Sequence, residues 1–253
     1  MSTLSIVIPV RNERKSLPPL LDKFIVAEPR FPRPYRILVV DGVSTDGTPD
    51  VVRAYADRLP LEVLALSENL GLGGALEVGL LRALQRPGVV VTMDGDDSHD
   101  PATIPALLAK LAQGYDVVVA SRFEPGGEEV GVARHRKVLS HAASGLLRLL
   151  FPVGTIKDYS SGFRAYRTDA LERVREYAGR LVQERGFSCM MELLLSLRAA
   201  GARAAEVPLV LRYDLKRSES KMDVGHTIVR YLLVMGKHLS RVRGLNRPVR
   251  TAA

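Results

Sequence analysis

Short β-branched runs alternate along the first 120 residues with longer stretches whose apolar positions recur every three or four residues. The runs are LSIVIPV (4–10), YRILVVDG (35–42), LEVLAL (61–66), GVVVTMDGD (88–96) and YDVVVASR (115–122). Bounded by turn residues, they read as strands. Between them, KSLPPLLDKFIVAE, TPDVVRAYADR, GGALEVGLLRALQ and PATIPALLAKLAQ have helical spacing. Such alternation predicts right-handed βαβ units: an α/β fold around a mostly parallel, Rossmann-like sheet with helices on both faces. Thr45-Asp46 and Asp100-Pro101 are candidate helix starts.

Beyond Arg122 the pattern changes. FEPGGEEVGVARHR is a Gly-rich polar loop, too long for a simple connection and therefore functional or mobile. An amphipathic stretch follows around Val138 to Phe151, then DYSSGFRAYR as a short strand or turn. A helix around CMMELLLSLRAAG ends at Gly201, and AAEVPLVLRY is another strand. In the tail, Ile228, Tyr231, Leu232, Met235, Leu239 and Val242 fall on one helical face. The simplest division is one domain over 1–222 and a basic amphipathic C-terminal helix and tail over 223–253.

Composition changes this picture little. A hydrophobic content of 46% and a charged content of 25% are those of a globular protein. The single Cys189 excludes an internal disulfide and suits a reducing compartment. The first residues, MSTLSIVIPVRNE, lack a basic start and run straight into a strand, so no signal peptide is expected. Neither AASGLLRLLFPVG nor TIVRYLLVMGKHL is long or apolar enough to span a bilayer.

Charge changes it more. The net charge is +8, and from Arg203 onward eleven Lys or Arg stand against four Asp or Glu, a local +7. That asymmetry predicts a tail that meets phosphates or an anionic membrane surface, unless it is simply a solvated basic helix. Nucleic acid is not expected as a partner, because the chain has no Trp and only 6 Phe and 8 Tyr to interleave with its cations.

The candidate chemistry lies at strand ends. In an open α/β sheet, ligands bind outside the carboxyl ends of the strands. Here those ends carry Pro9-Val10-Arg11-Asn12-Glu13, Asp41 and Asp94-Gly95-Asp96. Two carboxylates separated by Gly95, with the Ser98 hydroxyl beside them, suit a hard divalent cation that keeps positions open for substrate phosphates. A solvated acidic turn capped by Asp100 is the plain alternative. ENLGLGGALEVG does not make Gly-x-Gly-x-x-Gly and follows the third strand, which argues against a dinucleotide fold. His99 has no second His at ligand spacing, and Arg164 suits either a loop or a phosphate.

Nine segments in order, IVIPVRNE, ILVVDGVSTDGT, NLGLGGA, MDGDDSH, ASRF, RKVLS, SSGFRAYR, GFSCMME and VPLVLRYDLKRSESKM, cover nearly the whole chain. Together they resemble a family 2 glycosyltransferase of GT-A fold, of the dolichol- or polyprenyl-phosphate mannosyltransferase type. The resemblance implies nucleotide contacts at Pro9, Arg11 and Glu13 and a base contact at Asp41. It implies that Asp94, Gly95 and Asp96 meet the sugar nucleotide, with Mg²⁺ or Mn²⁺ at Asp94, Asp96 and the Ser98 position. Arg122 would lie near both substrates' phosphates, Arg136 and Ser140 would hold the lipid phosphate, and Lys221 would fold over the donor diphosphate. Glu192 matches a family acid near the acceptor side.

The implied reaction is an inverting transfer of mannose or glucose from a GDP- or UDP-sugar to polyprenyl or dolichyl phosphate. That acceptor is already an anion and needs cationic positioning by Arg122, Arg136 and Lys221 rather than a strong base. A hydroxyl acceptor would need a carboxylate base, with Asp97 the nearest candidate. An accessory nucleotide-sugar-binding role is a third reading. The expected location is peripheral, at the cytoplasmic face of a membrane. The chain departs from the family pattern at Arg11, where Tyr is common, and at Gly42 in place of a second acid. It departs again at Leu215, where an Arg is common, leaving Lys216 and Arg217 as substitutes, and it lacks the usual Gly before the Ser-Lys region.

Overall fold

The computed structural model describes residues 3–32, 34–218 and 224–245. Seven strands form one sheet in the order β3-β2-β1-β4-β7-β5-β8. They are β1 (Thr3–Val10), β2 (Tyr35–Asp41), β3 (Leu61–Ala65), β4 (Gly88–Thr92), β5 (Val117–Ser121), β7 (Arg164–Arg167) and β8 (Ala204–Pro208). All pair in parallel except β7, which runs antiparallel to β4 and β5. The long Gly-rich loop contributes β6 (Glu128–Val130), which pairs in parallel with β9 (Val210–Arg212) as a separate two-stranded ribbon.

Strand alternation sorts apolar side chains to the two faces. Ile6, Ile8, Ile37 and Val39 point to one core with helices α1 (Leu17–Ala27) and α4 (Ile104–Leu111). Val7, Leu38, Val40 and Val90 point to the other, under α3 (Gly71–Leu84), α6 (Thr168–Ala178) and α7 (Cys189–Ala199). Every residue of β2 and β5 is buried, the state expected of central strands covered on both faces. The short α2 (Thr48–Ala54) packs Val52 on the first core.

A third, smaller core lies to the side of the sheet. Val119 and the Met191 face of α7 meet Leu147 of α5 (Arg134–Leu150) and Val234 and Met235 of α8 (Val224–Leu245). Two expectations change here. Helix α5 begins at Arg134 rather than near Val138. The apolar face expected in the tail helix is split: Tyr231 and Met235 join Val234 on the third core, while Leu232 is 56% exposed. The side chains of Ile228, Leu239 and Val242 lie outside the described residues.

The caps explain the boundaries. Asp100 accepts the Ala102 N–H at 2.9 Å and opens a 3-10 turn, Pro101–Thr103, that leads into α4. Asp46 accepts the Thr48 N–H at 2.9 Å at the start of α2, with left-handed Gly47 as the cap residue itself. After α7, Gly201 takes a φ of 76°.

Candidate active site

Val10 pairs with Asp41 and Val7 with Thr92, so β1, β2 and β4 finish on one rim of the sheet. Turns leaving this rim hold all three non-glycine residues with positive φ among the described residues: Asn12 (53°), Val43 (62°) and Asp97 (68°). A β-branched valine in that region is strained, and such strain persists only where the surroundings impose it. They do so here through hydrogen bonds between turns. Asn12 N–H donates to Ser44 Oγ (2.8 Å), Thr45 N–H to Asn12 Oδ1 (2.8 Å) and Glu13 N–H to Thr48 Oγ1 (2.8 Å). Asp97 accepts from Lys23 Nζ at 2.7 Å.

The rim opens into a cleft of about 320 Å³. Pro9 lines it from near the end of β1, Arg11 and Glu13 from just after that strand, Gly42 from after β2, and Asp94, Gly95 and Asp96 from after β4. A side chain at Gly95 would meet Val10 Cγ1 at 2.6 Å, so glycine is what lets the acidic turn lie against the end of β1. Six of the residues expected to contact the donor are therefore brought together: Pro9, Arg11, Glu13, Asp94, Gly95 and Asp96.

The two acids are held differently. Asp94 N–H donates to His99 Nδ1 (3.2 Å), whose ring stacks on Phe163 at 5.1 Å and keeps Nε2 3.9 Å from Asp94 Oδ2. With Nδ1 accepting, the ring proton sits on Nε2, facing the carboxylate, so His99 steadies Asp94 from behind. Desolvation pushes the Asp94 carboxyl above the usual carboxylate range; Asp96 and Glu13 add to the rise, and His99 and Lys216 oppose it. Burial also works to raise Asp96, but Lys216, joined by the Ser98 hydroxyl and His99, more than offsets it and holds Asp96 low. Lys216 Nζ lies 2.7 Å from Asp96 Oδ2. Lys216, following a 3-10 turn at Tyr213–Leu215, lines the cleft.

The far wall comes from residues that sequence reasoning missed. Arg185, Gly186, Phe187 and Ser188 line the cleft, as do Thr227 and Arg230 of α8. Buried carboxylates fix this wall: Glu77 accepts the Val182 N–H (2.7 Å), and Glu192 accepts those of Gln183 (2.9 Å) and Glu184 (2.8 Å). Glu184 in turn takes both Nε (2.8 Å) and Nη2 (2.7 Å) of Arg230. The pattern GFSCMME carried the segment, but nothing in it announced that its backbone would be captured by glutamates from α3 and α7.

Other expected residues fall elsewhere. Asp41 is 5% exposed behind Gly42, with Oδ2 accepting the Ser44 N–H at 3.2 Å, and is not part of the cleft lining. Ser98 is 2% exposed, and its hydroxyl donates to Asp96 Oδ1; it supports the acid instead of facing the cleft. Arg122 also lies off the cleft lining. Its guanidinium donates to Asp158 Oδ2 (2.7 Å) and Oδ1 (2.9 Å), Glu129 Oε1 (3.0 Å) and Ser160 Oγ (2.7 Å). Ser140 is half-buried on α5. The side chain of Arg136, and Lys221 altogether, lie outside the described residues.

Among the described residues no group of three His, Cys, Asp or Glu side chains forms a complete metal cage. Two carboxylates alone still suit Mg²⁺ or Mn²⁺ when a diphosphate supplies further oxygens. Gly162 leaves the space for this: a Cβ there would sit 2.9 Å from Asp94 Oδ1. The donor set therefore fits a cation shared with a phosphorylated ligand. Around it stand Arg11, Arg185, Lys216 and Arg230, which suits the cleft to a nucleoside diphosphate.

Residues 5–175 match the family model described as Glycosyl transferase family 2. The chain is 34% identical over 221 residues to an undecaprenyl-phosphate mannosyltransferase of Micrococcus luteus, an overlap of 87% of each chain. It is 35% identical over 211 residues to a polyprenol monophosphomannose synthase of Mycolicibacterium smegmatis, covering 81% of this chain and 75% of that one. Among solved structures, glucosyl-3-phosphoglycerate synthase from Mycobacterium tuberculosis, in complex with Mn²⁺, uridine diphosphate and phosphoglyceric acid, superposes with a TM-score of 0.69. The overlap is 94% of this chain and 78% of that one at 22% identity, a likeness of fold.

Proposed function

The chain belongs to glycosyltransferase family 2, and from that premise we propose that it moves a hexosyl group from a nucleotide sugar to polyprenyl phosphate, with inversion. Mannose is the first choice of sugar, because the curated relatives are named as polyprenyl-phosphate mannosyltransferases, with glucose the second and GDP or UDP as the carrier. The single observation that carries the reading is the cleft itself. Asp94 and Asp96, just beyond β4, share one cleft with Arg11, Arg185, Lys216 and Arg230 beside the end of β1.

In the transfer, an oxygen of the acceptor phosphate bonds to the anomeric carbon on the face opposite the diphosphate. The bond from that carbon to the diphosphate oxygen breaks, and its electron pair leaves with the nucleoside diphosphate. No proton has to move. The leaving group gains charge, and Lys216 is placed to meet it, with Arg11, Arg185 and Arg230 around the same cleft. Mg²⁺ or Mn²⁺ at Asp94 and Asp96 would neutralise the same diphosphate. His99 keeps Asp94 oriented, and Gly95 lets the acidic turn lie against the end of β1.

The placement of the other carboxylates favours a phosphate acceptor over a hydroxyl. A hydroxyl would need a base, yet Asp97 is 3% exposed and tied to Lys23, and Glu192 is engaged by two backbone N–H groups. Arg134–Ser140, at the start of α5, is the proposed site of the acceptor phosphate, with Arg136 and Ser140 its contacts. No described helix is long and apolar enough to cross a membrane, and we place the enzyme on the cytoplasmic face of one, against its anionic surface.

Radiolabelled GDP-mannose and UDP-glucose, incubated with the protein, Mn²⁺ and undecaprenyl phosphate, test the reading. Label is expected in the organic phase with one of them and is expected to vanish in Asp96→Ala. No lipid product with either donor, or undiminished turnover by that variant, overturns it.

A further inference from the structure

Both carboxylate oxygens of Asp96 are engaged from within the chain. Oδ1 accepts the Ser98 N–H at 3.1 Å and the Ser98 hydroxyl, and Oδ2 accepts Lys216 Nζ at 2.7 Å. Asp94 carries no such ammonium and faces the His99 ring at 3.9 Å instead. The Ser98 donors are neutral and belong to the same turn, so they leave Oδ2 able to take a cation. Lys216 does not. It puts a full positive charge on that oxygen, in a pair whose side chains are both mostly buried. A divalent ion on Oδ2 would share one oxygen with an ammonium, two like charges in contact where water screens them weakly. Lys216 and such an ion therefore compete for Asp96.

The fold imposes this competition. The segment that carries the lysine is held on three sides. Arg212 N–H donates to the Ser98 carbonyl at 3.0 Å, beside the acid itself. Gly131, just past β6, lies so close to the 3-10 turn that a Cβ there would meet the Asp214 nitrogen at 2.6 Å. Ser218 Oγ donates to Glu13 Oε1 at 3.1 Å, fastening the far end to the turn after β1. The backbone around Lys216 is thus set, and the part that can swing is the lysine's own four-carbon stem.

A nucleoside diphosphate brings a second anion into the same cleft. Turned onto a phosphate oxygen, the ammonium leaves Asp96 Oδ2 open to a cation, and each charge keeps a partner of opposite sign. The two ligands then help each other, and by linkage they do so reciprocally.

We propose that Lys216 locks the divalent-cation position at Asp96 and that a nucleoside diphosphate opens it by drawing the ammonium onto its own oxygens. The opening rests on the nucleotide-sugar reading of the cleft; the lock rests on the Lys216–Asp96 contact and the cation position alone. A divalent ion presented by itself is held weakly, and the cation position fills together with the donor.

The test is titration of the full chain with Mn²⁺, followed by the paramagnetic resonance signal of the free ion, with and without GDP or UDP. Without nucleotide, Lys216→Met and Lys216→Gln are expected to bind Mn²⁺ about tenfold more tightly than the unaltered chain, within the ordinary range of coupling. Lys216→Arg keeps the charge and should stay weak. A merely structural role would make the neutral variants bind the ion no better. Adding Asp96→Asn to Lys216→Met should return the Kd to its weak value. GDP and UDP, tried in turn, should tighten Mn²⁺ binding more in the unaltered chain than in Lys216→Met, by about the same tenfold factor.

Mn²⁺ binding by both neutral variants that is equal to or weaker than that of the unaltered chain overturns the lock. So does a tightening that survives Asp96→Asn. Tightening in the variants with an identical nucleotide response in all forms overturns the opening. None of these measurements involves sugar transfer, so a failed transfer assay beside a tightened Mn²⁺ Kd rejects the proposed reaction and leaves the lock in place.

Discussion

Lys216 Nζ lies 2.7 Å from Asp96 Oδ2, joining positions 120 residues apart inside the cleft. Burial works to lower the Lys216 ammonium, but Asp96 more than reverses this, so the lysine stays protonated where a diphosphate would lie. Both side chains are mostly buried, at 15% and 12% exposure, so the contact is only weakly screened by water. An arriving diphosphate competes with Asp96 for the same ammonium, which makes the lysine a cation held in reserve for the leaving group.

Lys216→Ala is therefore expected to lower kcat/KM for the sugar donor by about 10²- to 10³-fold, the usual loss of one preorganised electrostatic contact. Lys216→Arg should recover part of that loss. The alanine variant should also move the acidic limb of the pH–rate profile upward, because Asp96 loses the cation that holds it low. Steady-state kinetics across pH measure both effects. An unchanged kcat/KM would remove Lys216 from the site.

Asp94 offers a trade between function and stability. Its folded-state carboxyl is raised, mainly by desolvation, so the folded protein binds that proton more tightly than the unfolded chain does. The stabilising contribution is complete below the unfolded value, is lost as pH rises through the folded one, and becomes a penalty at neutral pH. Asp94→Asn is expected to raise the melting temperature at neutral pH, with a gain that shrinks towards about pH 4. It should abolish measurable transfer. Thermal melts at several pH values, in metal-free buffer, read the first effect.

The regions that were legible in the sequence are those governed by short-range rules. The β-branched runs became β1 to β5, and Pro9 to Glu13 met Asp94 to Asp96 because parallel strands share an edge. Long-range partners were not legible. Whether Lys216 or Arg217 would replace the missing arginine depends on the phase set by the turn at Tyr213–Leu215, which no periodicity reports. Strand β7 has four residues, too few to show its antiparallel insertion between β4 and β5. Asp41 ends β2 as expected, yet burial behind Gly42 depends on the strained turn at Val43.

Arg122 gives the sharpest separation between a fold role and a substrate role. Its charge is enclosed by Asp158 and Glu129, whose side chains are 0% and 5% exposed. Arg122→Met leaves both acids without this cation, and breaking such a buried pair costs about 3–5 kcal/mol. Burial alone would raise Asp158, but Arg122 more than offsets it and holds that carboxyl low, so its contribution exists at neutral pH and fades as pH falls through the folded value. The destabilisation should accordingly shrink in acid. Urea unfolding at two pH values measures this. Full stability together with a collapse of kcat would instead place Arg122 on the substrates.

Gly73 explains why NLGLGG is rich in glycine without being a dinucleotide motif. A Cβ at this position would lie 1.7 Å from the Glu184 carbonyl oxygen, and the Gly73 N–H donates to the Arg185 carbonyl at 3.0 Å. The contact is backbone against backbone, so no side chain can rotate away to relieve it. The same segment is held from its other side by Glu77 and Glu192, and it carries Arg185 and Ser188 into the cleft. Gly73→Ala must push that segment outward or shift the start of α3. Overpacking of this kind costs about 1–3 kcal/mol. Because the displaced segment is a wall of the cleft, nucleotide-sugar affinity should fall together with stability. Gly145→Ala, off the cleft and with nothing within 4 Å of a Cβ, should cost neither stability nor affinity and serves as the control. Urea unfolding combined with calorimetric titration of both variants decides the matter: equal behaviour of the two would mean that the carbonyl contact at Gly73 does not position the wall.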